Sequence, residues 1–170
     1  GASAASGRAP SVIAAGAAVA GVFVLCRSFA GTRLALVAAA VCVAVPRVGF
    51  LAAEARSSAL SAALVTWLLV LLVHLVRLVR RGDLVRRSWW VLYSTLLVLG
   101  VHVFLYTALV VPVHAAVLVI MGAPRGLWRA WSASAGAAIV VCAPFILFAR
   151  TQHGQIAFLA HRDASNPRKI

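Results

Sequence analysis

Apolar residues in this chain come in long unbroken runs instead of alternating with polar ones. Runs of that length are what helices need to cross a hydrocarbon core about 30 Å thick. Six spans can be drawn, over about Ser11 to Cys26, Leu34 to Ala53, Ser58 to Val76, Trp89 to Val103, Tyr106 to Met121 and Ala130 to Ala149. Pro10 and Ser11 open the first as a helix start. The fourth and fifth share a stretch, Ser88 to Pro124, that contains no fully charged residue. As one helix it would reach roughly 50 Å, well beyond the core, so a hairpin turning near His102 to Tyr106 is predicted. Pro144 predicts a kink in the last span. The fold class is therefore all-α, a polytopic transmembrane helix bundle of about six spans. Residues 1–160 form one membrane domain and 161–170 a polar tail.

Composition agrees with this picture: 64% of residues are hydrophobic and 11% charged, far from a soluble domain. A β-barrel is disfavoured because the runs lack the in/out alternation of barrel strands. Cys26, Cys42 and Cys142 all fall inside apolar runs, are odd in number and form no CxxC, so they read as structural thiols. No cofactor is implied, since there is no glycine-rich phosphate loop and no ligand cluster with metal-site spacing.

The net charge of +13 raises nucleic acid as a partner. The arginines, however, sit at span ends and in short loops, with no basic face or aromatic platform. They are better matched to topology and to lipid headgroups. Loops near Arg27/Arg33, Arg77 to Arg87 and Arg125/Arg129 hold nine basic residues, and the opposite set holds Arg8, Arg47 and Arg56, with four more in the tail. The first set is thereby assigned to the cytoplasm and Glu54, Arg56 and the His102/Tyr106 turn to the outer face. Trp89 and Trp90 fit an inner aromatic belt. With arginine, alanine, valine and leucine so dominant, the expectation is a multi-pass protein of the bacterial plasma membrane.

One segment carries more chemistry than the rest. PRVGFLAAEARSSAL, Pro46 to Leu60, sets Arg47, Glu54 and Arg56 between two apolar runs, and Glu54 is one of only three acidic residues. Ionised groups at a membrane boundary are costly and mark a functional-site hypothesis. The plainer alternative is that the arginines hold lipid headgroups while Glu54 neutralises them. Glu54 and Arg56 lie roughly 200° apart on a continuous helix, so direct pairing needs irregular backbone. His102 and Tyr106 share a face if their helix continues past the turn. His74 and His114, alone inside spans, read as packing residues.

The succession RAPSVIA, RSFAGTR, PRVGFLAAEARSSALSAAL, a basic loop and RSWWVLY resembles the GT-C class of integral-membrane glycosyltransferases, in particular bacterial relatives of the dolichyl-phosphate-mannose protein mannosyltransferases. Its most specific piece is P-R-(x)6-E-A-R-x-x-A-L. The resemblance implies transfer of a sugar, mannose by the closest group, from a polyprenyl-phosphate carrier to an acceptor at the outer face. A base must take the acceptor proton and cations must stabilise the departing phosphate. It gives Arg56 and Arg47 to the donor phosphate, since the guanidinium fork binds phosphate oxygens in pairs. Glu54 would position Arg56 or meet a sugar hydroxyl, and His102 and Tyr106 would lie near the cavity. Gln152, His153 and Gln155 would line an acceptor groove.

Members of the class carry their catalytic carboxylate on a first outer loop that has no counterpart here, so the catalytic residue stays unassigned. An upstream span or a partner subunit is expected to supply it. The rival reading is a non-catalytic membrane protein that keeps the scaffold and lipid-phosphate binding. A transporter is disfavoured, because no charged residue lies at mid-membrane depth and no pair of broken helices is symmetrically placed.

Overall fold

A computed structural model describes residues 4–45 and 57–151, and every regular element among them is helical. Helix α1 spans Ala4–Ala44, α2 Ser57–Arg80 and α3 Arg87–Val103. A 3₁₀ turn over Leu105–Leu109 leads into α4, Val110–Ile120, and α5 closes the order at Arg125–Thr151.

The helix ends follow from local chemistry. α2 and α4 both stop in the same hydrogen-bonded cap, with Gly82 and Gly122 at φ of 83° and 57°. Asp83 N–H donates to Leu78 C=O at 3.0 Å and Ala123 N–H to Leu118 C=O at 2.9 Å. A left-handed residue is required at that position, and glycine takes it without a Cβ clash. α3 ends instead because Phe104 turns extended, at φ −155° and ψ 111°. α1 is broken at Gly31, whose φ of 81° and ψ of 174° leave the helical region.

Contacts between elements fix the directions of the helices. Trp67 Nε1–H donates to Ala17 C=O at 3.0 Å, and Arg77 donates through Nη2 to Ser28 C=O. Both sequence numbers rise together, so the first part of α1 runs parallel to α2. The two approach closely where Gly21 faces Thr66; a Cβ at Gly21 would fall 2.6 Å from Thr66 Cγ2. Close approach over a small residue is how apolar helices associate without a hydrophobic driving force between them. Tyr93 meets Trp131, and His102 stacks on Phe145, so α3 and α5 are parallel too, with α4 as the return between them.

This arrangement collects the basic residues at one end of the bundle. That end holds the break in α1 with Arg27 and Arg33, the C-termini of α2 and α4, and the starts of α3 and α5. The nine arginines of one loop set thus come together there. Two of them serve helix C-termini, whose free carbonyls carry partial negative charge. Arg77 reaches Ser28 C=O and lies 4.6 Å over the Phe29 ring, and Arg80 reaches Met121 C=O, tying the two caps together. Asp83 is the one carboxylate among the described residues.

The core lies between α2, α3, α4 and α5, around Leu68, Leu72, Leu75, Tyr93, Leu97, Leu118 and Cys142. Large apolar side chains remain exposed elsewhere, Ile13, Leu34, Val41, Val119 and Val140 among them, as the surface of a protein solvated by lipid requires.

The six-span reading is not reproduced. Three helices are long and apolar enough to cross a membrane, over Ala9–Ala44, Ser58–Arg80 and Arg125–Phe148, which characterises a membrane protein. The first predicted span and the described part of the second, up to Val45, lie on either side of the break at Gly31, which falls in the gap drawn between them, and α1 starts at Ala4, before the proposed start at Pro10 and Ser11. α3 would reach about 26 Å and α4 with its 3₁₀ turn about 27 Å, both slightly short of the core. The turn between them does fall within the predicted window, at Phe104. α5 runs on through Pro144 as one helix.

Candidate functional site

Arg47, Glu54 and Arg56 lie outside the described residues, as do Gln152, His153 and Gln155. The chain is described again from Ser57. α2 begins directly after Arg56, at the end of the bundle opposite the arginine cluster. The α3–α4 turn stands at the same end. Ser61 on α2 and Thr107 in the turn are joined by a buried hydrogen bond of 3.0 Å between their hydroxyls. Thr107 packs directly on Gly100, where a Cβ would lie 2.7 Å from its Cγ2. Ser58, in the first turn of α2, has a buried hydroxyl with no partner among the described residues.

His102 and Tyr106 sit on this same turn, both exposed. The helix does not continue past Val103, so the two side chains do not share a helical face. Extended backbone at Phe104 separates them. His102 stacks on Phe145 of α5 with ring centroids 4.8 Å apart, and its Nδ1 lies 2.9 Å from Val98 C=O, acting as the donor there. Tyr106 is 68% exposed and meets Phe104 with the rings tilted, at 5.4 Å. Each is held by a neighbour on a different element, so the turn presents an imidazole and a phenol separately at the surface.

The buried interior holds a polar network that the sequence did not reveal. Trp131 Nε1–H on α5 donates to Tyr93 Oη on α3 at 3.0 Å. Tyr93 Oη lies 2.7 Å from His114 Nδ1 on α4. With Trp131 as donor, the phenol is free to donate to Nδ1, which leaves the imidazole proton on Nε2. That nitrogen is buried and has no partner among the described residues. His114 was read as a packing residue; it does pack, but only one of its two nitrogens is satisfied. His74, read the same way, is exposed and rests against Trp89 at 5.7 Å. A Tyr, a His and a Trp at positions 93, 114 and 131 share no local spacing, and only the fold brings them together.

Cys142 is buried, while Cys26 and Cys42 are half-buried, and all three are free thiols. Among the described residues no group of His, Cys, Asp and Glu is arranged to hold a metal. Comparison with family models, curated proteins and solved structures gave no match.

Proposed function

We propose that this chain is a multi-pass protein of the bacterial plasma membrane. In this reading it belongs to a GT-C-type glycosyltransferase that moves a sugar, mannose in the first instance, from a polyprenyl-phosphate carrier to an acceptor at the outer face. The observation that carries the reading is the P-R-(x)6-E-A-R-x-x-A-L block of Pro46 to Leu60. The structure adds support in two ways. Arginines cluster at one end of the bundle, which the distribution of positive charge assigns to the cytoplasm. The start of α2 and the His102/Tyr106 turn stand at the other end, bonded through Ser61 and Thr107.

In this reading Arg56, with Arg47, binds the departing lipid phosphate, and Glu54 orients Arg56 or a sugar hydroxyl. The one described carboxylate, Asp83, is at the wrong end to take the acceptor proton. The general base is left to a carboxylate from an upstream span or partner subunit.

The test is transfer from a radiolabelled polyprenyl-phosphate mannose, by the chain alone and joined to an upstream span. Arg56→Ala is expected to abolish transfer and leave membrane insertion intact. Unchanged turnover in that variant removes the site assignment. Donor binding without transfer in either form would instead identify a non-catalytic lipid-phosphate binder.

A further inference from the structure

At the basic end, α3 and α5 are joined through Ser94 and Ser134, and the outer side of their seam is open. They leave a laterally open groove of about 460 Å³, walled by Arg87, Trp90 and Ser94 on α3 and by Ala130, Ala133 and Ala137 on α5. Its hydroxyls are already occupied. Ser94 donates to Ser134 C=O at 3.0 Å, Thr95 to Val91 C=O at 2.9 Å, and Ser134 to Ala130 C=O at 2.9 Å. Deeper than Arg87 and Trp90, the three hydroxyls on the walls are all satisfied within the protein, so a hydrocarbon chain would meet satisfied groups and methyls there.

Two further observations identify the occupant. First, the groove runs from Arg87 to Thr95, about 12 Å along the helix, which is close to half of the roughly 30 Å core, or one leaflet. Beyond it Leu97, Val101, Ala138 and Cys142 are buried and line only a small cavity of about 20 Å³. A transmembrane helix of a partner would need a seam through the whole thickness. Second, Arg87 stands at the mouth, at the start of α3, with Arg86 beside it and Arg125 and Arg129 at the start of α5. All four are exposed, and the single described carboxylate, Asp83, cannot balance them. The mouth therefore complements an anion.

We propose that this groove is a binding site for one anionic phospholipid of the leaflet at the basic end. One acyl chain lies between α3 and α5, and the phosphate headgroup sits at Arg87. Trp90 lies at the depth where chain and headgroup meet, the position that indole rings favour. This site is at the opposite end of the bundle from the Pro46 block and does not depend on the glycosyltransferase reading.

The test uses the full chain, delipidated in neutral detergent and titrated with phosphatidylglycerol or with phosphatidylcholine of the same acyl chains. Bound copies are counted by native mass spectrometry. One tight copy of phosphatidylglycerol is expected, held at least fivefold better than phosphatidylcholine. Arg87→Gln should weaken the anionic lipid about fivefold, as removal of one basic residue at a membrane surface does. Ala137→Trp should fill the groove and abolish the tight copy. Ala133→Leu does the same with a smaller change, should the tryptophan prevent folding. Val119→Trp, exposed on α4 and away from the groove, should leave binding unchanged. Undiminished binding in both groove variants, or equal affinity for the two lipids, would overturn the proposal. So would a dimer that Ala137→Trp converts to monomer, or exchange with a polyprenyl phosphate but not with phosphatidylglycerol.

Discussion

Replacing Tyr93 with phenylalanine removes one oxygen from the centre of the bundle and leaves its packing volume almost unchanged. The phenol accepts from Trp131 Nε1–H at 3.0 Å and bonds His114 Nδ1 at 2.7 Å, so Tyr93→Phe strands two buried polar atoms at once. Each such bond contributes about 1 kcal/mol in water-soluble proteins. Between membrane helices the average is nearer 0.6 kcal/mol, with a maximum of about 1.7. A loss of about 1–3 kcal/mol is expected for the single variant. The sharper test adds His114→Leu. In the parent chain that change leaves the phenol without its acceptor and costs stability. In the Tyr93→Phe background it removes the stranded Nδ1 together with the partnerless Nε2, and about 1 kcal/mol is expected to return. The two effects have opposite signs, as expected when both partners of a buried bond are replaced together. Equilibrium unfolding in mixed micelles, followed by helical circular dichroism, measures both. If His114→Leu changes stability in the same direction in both backgrounds, the network does not exist as described.

The close contacts give further expectations. Gly100→Ala should cost about 1–3 kcal/mol by overpacking, because the new Cβ lands 2.7 Å from Thr107 Cγ2. Adding Thr107→Ser should restore most of it, since serine lacks that methyl but keeps the hydroxyl bonded to Ser61. Gly21→Ala should weaken the α1–α2 seam by a similar amount, and Thr66→Ser should rescue it, because serine can still donate to Ala62 C=O; both pairs are read by the same unfolding assay. Arg77→Lys should lose about 1 kcal/mol despite keeping its charge, because the stem of lysine cannot both bond Ser28 C=O and lie flat over Phe29; salt added to 1 M should leave this loss in place, as the contact is short-ranged.

Helical class and membrane character were legible in the long apolar runs, and so was the turn at Phe104, because no single helix could hold the charge-free stretch around it. What stayed hidden is which helices touch. Alternating spans already put nine arginines on one side, but apolar runs carry no record of neighbours, and it is the packing of α3 on α5 that brings Tyr93 to Trp131. The break in α1 lies in the gap drawn between the first two spans; what the sequence left open is that Gly31, with its positive φ, is the residue that makes it. The Pro46 block was legible as chemistry, yet its geometry lies outside the described residues. The groove beside Arg87 escaped notice because alanines at helical spacing look the same whether a neighbour or a lipid covers them.

The Tyr93, His114 and Trp131 network draws one side chain from each of three consecutive helices. A ribosome delivers them in that order. When α3 and α4 have entered the bilayer as a hairpin, the phenol and imidazole can already meet. The acceptor side of the phenol then still faces a gap that only Trp131 will occupy. The half-built hairpin is thus polar on precisely the flank where the last helix belongs. Arrival of α5 satisfies that flank and fixes its rotational setting, so the order of synthesis also serves as the order of assembly.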